Sequence, residues 1–229
     1  MEHMEELKPS YYFSDLSMSS GPFDKIFSGV DKVWEALSKK NEFLESMQAK
    51  ILGTVEDGVK IDGKVFVGEG SVVETGVVIK GPVYIGRGCT IGPHAYIRAG
   101  TVIGNNVKIG RPEIKNSIIF DGVDAHHHGY IGDSIVGARV NIATGVEFLN
   151  LRHDDKVVVV KIGDEKISTG LRKFGAVVGD GCKLGGKCVL NPGTFVGKNC
   201  WTWPNILIKG FYPSNKIIKT RTEFVEKLG

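Results

Sequence analysis

The sequence has no long hydrophobic run, and its most apolar stretch is the four valines at 157–160. A membrane-spanning helix needs about 20 consecutive apolar residues, so none is expected here. The first ten residues, MEHMEELKPS, lack the cationic and apolar segments of a signal peptide. The net charge is only +3 with both signs mixed, so nucleic acid is not an expected partner. We therefore expect a soluble protein of the cytoplasm, bound to neither membrane nor nucleic acid.

Cysteine is also scarce, and none of the four residues forms a C-x-x-C motif. Cys182 and Cys200 are eighteen residues apart, which brings them within disulfide distance in the fold predicted below. A reducing cytoplasm argues against such a bond. We interpret all four cysteines as thiols packed at small corner positions: Cys89, Cys182, Cys188 and Cys200.

Glycine is abundant, with 31 residues, and apolar residues recur with a period of six. An alternating strand has a period of two and an amphipathic helix a period of 3.6, so neither explains the spacing. Hexapeptide repeats are typical of parallel β-helices, in which three units complete one coil and stacked coils share one core. Nine successive positions carry only isoleucine or valine: Ile61, Val67, Val73, Ile79, Ile85, Ile91, Ile97, Ile103 and Ile109.

Two segments fall outside this repeat. Residues 149–175 show no six-residue pattern, and we predict an excursion with a hairpin that turns at Gly163-Asp164. Ahead of the repeat, residues 21–48 have apolar side chains at helical spacing, and Pro22 suits a first helical turn. We interpret this helix as one that packs on the repeat or on a neighbouring subunit.

Three consecutive histidines, His126, His127 and His128, stand within the repeat. Neighbouring residues on a strand point to opposite faces, so the three cannot bind one ion from an extended backbone. One of them could act as a general base, because a histidine pKa near 6.5 suits proton transfer at neutral pH. A zinc site like that of the gamma-class carbonic anhydrases, a solvated cluster and a general base all stay open at this point.

Four segments carry a family resemblance: CTIGPHAYIRAG at 89–100, EIK at 113–115, AHHHGYIGDSIVGARVNI at 125–142 and LNLRHDDK at 149–156. They resemble the acetyltransferase half of the bifunctional enzymes that make UDP-N-acetylglucosamine. The resemblance implies an all-β, left-handed parallel β-helix, here with an N-terminal α-helix. It also implies a homotrimer with sites between subunits, which transfers an acetyl group from acetyl-CoA to an amino sugar 1-phosphate such as glucosamine 1-phosphate.

The resemblance assigns roles to individual residues. His127 matches the catalytic base and Glu113 the carboxylate that orients its ring. Arg98 and Lys115 match the cations that hold the sugar phosphate, and such a pair offers a planar fork and a point charge. The other matches are Tyr130, Asn141 and Lys156 for the sugar and Thr144, Asn150, Leu151 and Gly186 for acetyl-CoA. No metal is implied.

Two positions on the acetyl-CoA side depart from the family. Leu151 replaces an aromatic residue and Gly186 replaces a serine. These changes favour an alternative, a stand-alone β-helix subunit of a sugar-phosphate nucleotidyltransferase-type protein that binds sugar phosphate or nucleotide sugar without acyl transfer. The residues ahead of the repeat are too few for a nucleotidyltransferase domain. We expect an N-terminal tail and helix over 1–52, the β-helix over 53–212 and a C-terminal cap over 213–229.

Overall fold

The computed structural model describes residues 5–14 and 22–220. Short strands wind into about nine coils, and each coil contributes a strand to as many as three parallel sheets. Parallel pairing along all three sheets confirms the predicted all-β, left-handed parallel β-helix. The paired strands run from Lys50 to Ile218, so they extend beyond the predicted range of 53–212 at both ends.

Sheet A contains nine strands: Lys50–Ile51, Val65–Val67, Val83–Ile85, Thr101–Ile103, Ile118–Ile119, Ile135–Val136, Ala176–Val178, Thr194–Val196 and Phe211–Tyr212. Sheet B also contains nine: Thr54–Val55, Val72–Val73, Thr90–Ile91, Lys108–Ile109, Asp124–Ala125, Asn141–Ile142, Lys183–Leu184, Trp201–Thr202 and Ile217–Ile218. Sheet C contains eight: Lys60–Asp62, Val78–Lys80, Tyr96–Ile97, Glu113–Lys115, Gly129–Gly132, Val146–Phe148, Val189–Leu190 and Leu207–Ile208.

The six-residue repeat fills the interior of the coils. Eight of the nine residues in the predicted series are buried, and Ile61 is the exception, with 39% of its surface exposed. Ile61 lies on the first strand of sheet C, which is an edge of that sheet. The first coil therefore has a neighbour on one side only, so its inward-facing side chain stays accessible.

The number of residues per coil changes along the β-helix, while the core residues of neighbouring coils stay in register. Partners in neighbouring coils are eighteen residues apart for Val65 and Val83, but seventeen apart for Ile118 and Ile135. Shorter spacings occur in the middle of the chain, where the six-residue period slips, and also at both ends, where Lys50 pairs with Phe66 and Phe195 with Phe211. The shortening falls at the corners, because a one-residue slip inside a strand would turn core residues outward.

The excursion contains the predicted hairpin. Its antiparallel strands are Val159–Ile162 and Glu165–Ser168, and the chain turns between them at Gly163 and Asp164, as predicted. Val160 and Ile162 are buried in a second apolar cluster that includes outward-facing side chains of sheet A. The hairpin is therefore packed on the β-helix.

In the described residues ahead of the β-helix, 5–14 and 22–49, the chain forms three short helices, α1 (Pro9–Tyr12), α2 (Phe23–Phe27) and α3 (Ala36–Ser46). Two single 3-10 turns, Glu5–Leu7 and Val33–Glu35, accompany them. The helical pattern over residues 21–48 is thus interrupted after α2. Gly29 has a φ of +64° at this break, a conformation that glycine adopts at little cost.

These helices cover the outer surface of sheet A. The ring of Phe120 stacks on Phe23 at 4.2 Å and on Phe13 at 4.6 Å between centroids. Both the N-terminal segment and the hairpin therefore bury sheet A from outside. Sheets B and C have exposed apolar side chains instead, such as Trp201 and Leu207, which are 50% and 63% accessible.

The four cysteines are free and buried, in agreement with their interpretation as packed thiols. Cys182 and Cys200 lie on neighbouring coils, and the backbone N–H of Cys200 donates to the Cys182 sulfur at 3.3 Å.

We expect Phe120→Ala to loosen the N-terminal helices without unwinding the coils. Loss of the Phe120 ring, with its stacking contacts to Phe13 and Phe23, should cost about 3 kcal/mol of docking free energy, and the amides of α2 should exchange with solvent faster. Hydrogen exchange followed by mass spectrometry measures this. Phe66→Ala is the control, because Phe66 stacks on Tyr84 elsewhere on sheet A. Equal protection of α2 in both variants would contradict this packing role.

Candidate functional site

The two predicted phosphate ligands are neighbours on sheet C. The core residues that precede Arg98 and Lys115 are register partners on adjacent strands, which lie about 4.8 Å apart. Arg98 directly follows its strand and Lys115 is the last residue of the next one. Nη1 of Arg98 lies 2.6 Å from Oε1 of Glu113, and Nζ of Lys115 lies 3.1 Å from Oδ2 of Asp133. The side chains of Arg98 and Lys115 are 39% and 21% exposed, so both remain accessible to a ligand.

A column of polar side chains runs beside these cations on successive strands of sheet C. The register aligns Tyr96, Glu113, Tyr130 and Glu147 in that order. The Arg98 guanidinium lies 5.7 Å from the centroid of the Tyr96 ring. Burial and nearby carboxylates raise the pKa of Tyr130, so its phenol stays protonated at neutral pH. The surface therefore offers both cations and a neutral hydroxyl.

One buried carboxylate ties several of these residues together. Asp133 is 3% exposed, and its Oδ2 accepts hydrogen bonds from Lys115 and from the side-chain amide of Asn150. Its Oδ1 accepts from Nδ2 of Asn116 at 2.6 Å. The Asn150 amide also donates to the Tyr130 hydroxyl at 3.0 Å. Three predicted site residues are thus connected through Asp133.

A buried lysine from the N-terminal region completes this network. Nζ of Lys40, on α3, donates to Oδ1 of Asn116 at 2.6 Å, and Lys40 itself has no accessible surface. Burial lowers the pKa of Lys40 from 10.5 to about 8, although the charge of Asp133 acts in the opposite direction. No role was predicted for Lys40 from the sequence.

The predicted base lies at the corner between sheets B and C. His127 is exposed in the turn that joins the fifth strand of sheet B to the fifth strand of sheet C. On the next coil, the Thr144 hydroxyl is 3.4 Å from Nδ1 of His128. A Cβ placed on Gly186 would lie 3.3 Å from the Thr144 carbonyl oxygen. His127, Thr144 and Gly186 therefore occupy one corner of successive coils.

The three histidines have different surroundings. Nδ1 of His126 lies 2.5 Å from Oδ1 of Asp124, whereas His128 faces Thr144. Within residues 5–14 and 22–220, no group of three or more His, Cys, Asp or Glu residues could hold a metal ion. A histidine metal cluster is therefore not formed by that part of a single chain.

Three other predicted residues lie apart from the sheet C cluster. Asn141 is exposed on sheet B, Lys156 is exposed on the excursion, and Leu151, with 39% exposure, forms a β-bridge with Lys173. Among the described residues, no side-chain hydrogen bond or ion pair joins Asn141, Lys156 or Leu151 to the cluster.

The predicted pair of Glu113 and His127 is not made in the single chain either. The Glu113 carboxylate accepts a hydrogen bond from Arg98 instead. The structure thus brings five predicted residues into one connected surface on sheet C, and leaves the base at its border. The five are Arg98, Glu113, Lys115, Tyr130 and Asn150.

Sequence reasoning missed the buried centre formed by Asp133, Asn116 and Lys40. Asp133 and Asn116 have φ angles of +47° and +50°, and such residues are ordinarily explained as turn formers. Lys40 follows Leu37 by three positions and precedes Leu44 by four, so it falls on the apolar face of α3. A lysine within the apolar face of a helix indicates a buried charge with a specific partner, and this was the feature of the sequence that could have identified Lys40.

The repeat, the stacked coils and the polar cluster define a hexapeptide-repeat β-helix protein. A family model described as the GMPPB C-terminal domain matches residues 79–165. The bifunctional protein GlmU of Methanococcus maripaludis strain S2 is 40% identical over 200 residues, which are 87% of this chain and 48% of that protein. The GlmU protein of M. maripaludis strain C7 is 45% identical over 200 residues, with the same two shares.

A third relative is the bifunctional sugar-1-phosphate nucleotidylyltransferase/acetyltransferase of Sulfurisphaera tokodaii. It is 35% identical over 188 residues, which are 81% of this chain and 47% of that protein. The chain thus spans about half the length of the curated relatives it matches. The predicted resemblance to the acetyltransferase region of GlmU-type bifunctional proteins is confirmed. No helix in the described part of the chain is long and apolar enough to cross a membrane.

We expect the stability that depends on Lys40 to vary with pH. As the pH rises from 8 to 10, the folded chain loses the Lys40 proton, whereas the unfolded chain, with a lysine pKa of 10.5, largely keeps it. Rising pH should therefore stabilise the wild type relative to Lys40→Met, by about 2 kcal/mol over this interval. Urea unfolding at pH 8, 9 and 10 and fixed protein concentration measures the difference. A constant difference would be the contrary result.

Proposed function

We propose that this chain is an acetyl-CoA-dependent N-acetyltransferase that acts on an amino sugar 1-phosphate such as glucosamine 1-phosphate. The observation that carries the proposal is the adjacency of Arg98 and Lys115 on sheet C, at a surface bordered by the corner of His127. A phosphate monoester is an anion that a guanidinium fork and an ammonium group bind well together. The name of the Sulfurisphaera tokodaii relative includes both sugar-1-phosphate nucleotidylyltransferase and acetyltransferase activities.

In this proposal, phosphate binding changes the partner of Arg98. Its ion pair with Glu113 is more than one-third exposed on both sides, so it contributes little free energy and is easily replaced. Lys115 is less exposed and is held by the buried Asp133. Lys115 therefore supplies a fixed charge, and Arg98 closes on the phosphate.

His127 acts as the general base. Acetyl-CoA supplies an acyl thioester when it is bound. As the amine nitrogen forms its bond to the acyl carbon and the carbon–sulfur bond breaks, His127 accepts the amine proton and then returns a proton to the leaving thiolate. Glu113, once Arg98 has turned to the phosphate, can accept a hydrogen bond from the protonated His127 ring and stabilise it.

The donor side is assigned to four residues in two places. Thr144 and Gly186 share the corner of His127, and Asn150 and Leu151 begin the excursion. The Asn150 amide nitrogen already donates to Asp133 and to Tyr130. The side-chain Oδ1 of Asn150 remains available to acetyl-CoA, and as an acceptor it suits an N–H group of that ligand.

A homotrimer with sites between subunits is part of the proposal. Asn141 lies on sheet B and Lys156 on the excursion, so a neighbouring copy could bring them to the sheet C cluster. Sheet A is already covered, whereas Trp201 and Leu207 leave apolar surface open on sheets B and C. A cytoplasmic location belongs to the proposal as well, because four free thiols suit a reducing compartment.

A second candidate is binding of sugar phosphate or nucleotide sugar without acyl transfer. Leu151 and Gly186 favour it, since both lack the side-chain groups that the resemblance predicts on the donor side. In that case the cations of sheet C keep their role, and the corner of His127 carries no chemistry.

We expect His127→Ala to lower kcat for acetylation of glucosamine 1-phosphate by 10²- to 10⁴-fold, because a general base contributes about that much. The KM for the sugar phosphate should change little, since the phosphate is held elsewhere. CoA release measures both constants. His126→Ala is the matched control, because His126 pairs with Asp124 on sheet B, and it should stay within about threefold of wild type.

Equal kcat values for His127→Ala and wild type would remove the assignment of the base. Calorimetry separates the two candidate functions. Sugar-phosphate binding by the wild type, with no binding of acetyl-CoA and no CoA release, would select the second candidate.

A further inference from the structure

We propose that Lys40, on the N-terminal helix α3, is a positioning residue of the sugar-phosphate site and acts on it through Asn116 and Asp133. The inference rests on the proposed function, because it names a further residue of the same site. Through Lys40, the helix α3 is part of the sugar-phosphate site as well as part of the layer that covers sheet A.

The first link is the orientation of the Asn116 amide. Lys40 can only donate hydrogen bonds, and its Nζ donates to Oδ1 of Asn116 at 2.6 Å. This contact forces Nδ2 to the opposite side, where it donates to Oδ1 of Asp133 at 2.6 Å. Without Lys40, the Asn116 oxygen would lose its buried cationic donor and the amide would be held from the Asp133 side alone. A cationic donor therefore selects the only amide orientation that satisfies Asp133.

The second link runs from Asp133 to the ligand surface. The other oxygen of Asp133 accepts from Lys115, which is proposed to bind the phosphate, and from Asn150. The same Asn150 amide donates to the Tyr130 hydroxyl at 3.0 Å, which is proposed to contact the sugar. A shift of Asp133 would therefore move two proposed substrate ligands together.

Burial makes these contacts specific. Lys40 has no accessible surface and Asp133 only 3%, so water cannot replace a lost partner at low cost. The charged groups that act on the Lys40 amine are Asp133 and Lys115. With a pKa of about 8, Lys40 is predominantly a cation at pH 7. It therefore balances the carboxylate from the side opposite to Lys115.

The test compares Lys40→Met with Lys39→Met. Lys39 is the next residue of α3, and its ammonium donates to the carbonyl of Ser28 within the N-terminal region, apart from Asp133. At pH 7 we expect Lys40→Met to raise the Kd and KM for glucosamine 1-phosphate about tenfold and to leave kcat within about twofold. Lys39→Met should match the wild type in all three constants. Calorimetry gives Kd, and CoA release gives the kinetic constants.

Lys40→Gln keeps a donor without the charge and should give an intermediate Kd. If Lys40→Met does not fold, the Kd of Lys40→Gln tests the positioning role in its place. A folded Lys40 variant with the wild-type Kd overturns the positioning role and leaves the proposed function intact. The same holds for a variant in which kcat falls about tenfold while KM does not change. A wild type that neither binds nor acetylates glucosamine 1-phosphate overturns the proposed function, and the inference falls with it.

Discussion

Parallel pairing between coils is the constraint on which the other features of the structure depend. The strands of the β-helix are only two to four residues long, so no coil is stable alone, and the core column must continue through every corner. Once that column is fixed, the outward positions beside it are fixed too. Arg98 and Lys115 lie side by side because the isoleucines that precede them are partners in the core. The polar surface is thus a consequence of the apolar register.

The fold also determines which of the three sheets has an outer surface that is open to a ligand. All three sheets are built from parallel strands, but their outer surfaces are not covered to the same extent. The N-terminal helices and the hairpin bury the outer side chains of sheet A, including Phe120 and Phe195. The proposed phosphate ligands and the histidines therefore lie on sheets B and C and at the corner they share.

The sequence predicted the coils well, and it singled out part of the polar cluster on sheet C, for different physical reasons. A core column is a local rule repeated every six residues, so Val67 and Ile97 reveal it without any knowledge of the fold. Arg98, Lys115 and Tyr130 could be found because they fall within segments that resemble a known family. Lys40 could not be placed, since its contact with Asn116 joins residues 76 positions apart and depends on how α3 docks. The break after α2 was missed because a helical spacing of apolar residues continues across it.

The two ion pairs of the site differ in a way that assigns them different tasks. The pair of Lys115 and Asp133 is largely buried and shares its carboxylate with amide donors, so breaking it would leave an uncompensated charge. The pair of Arg98 and Glu113 is exposed on both sides and costs little to open. An incoming anion would therefore displace Glu113 and not Asp133. In the proposed function, the buried pair fixes the geometry of the surface and the exposed pair opens to bind the ligand.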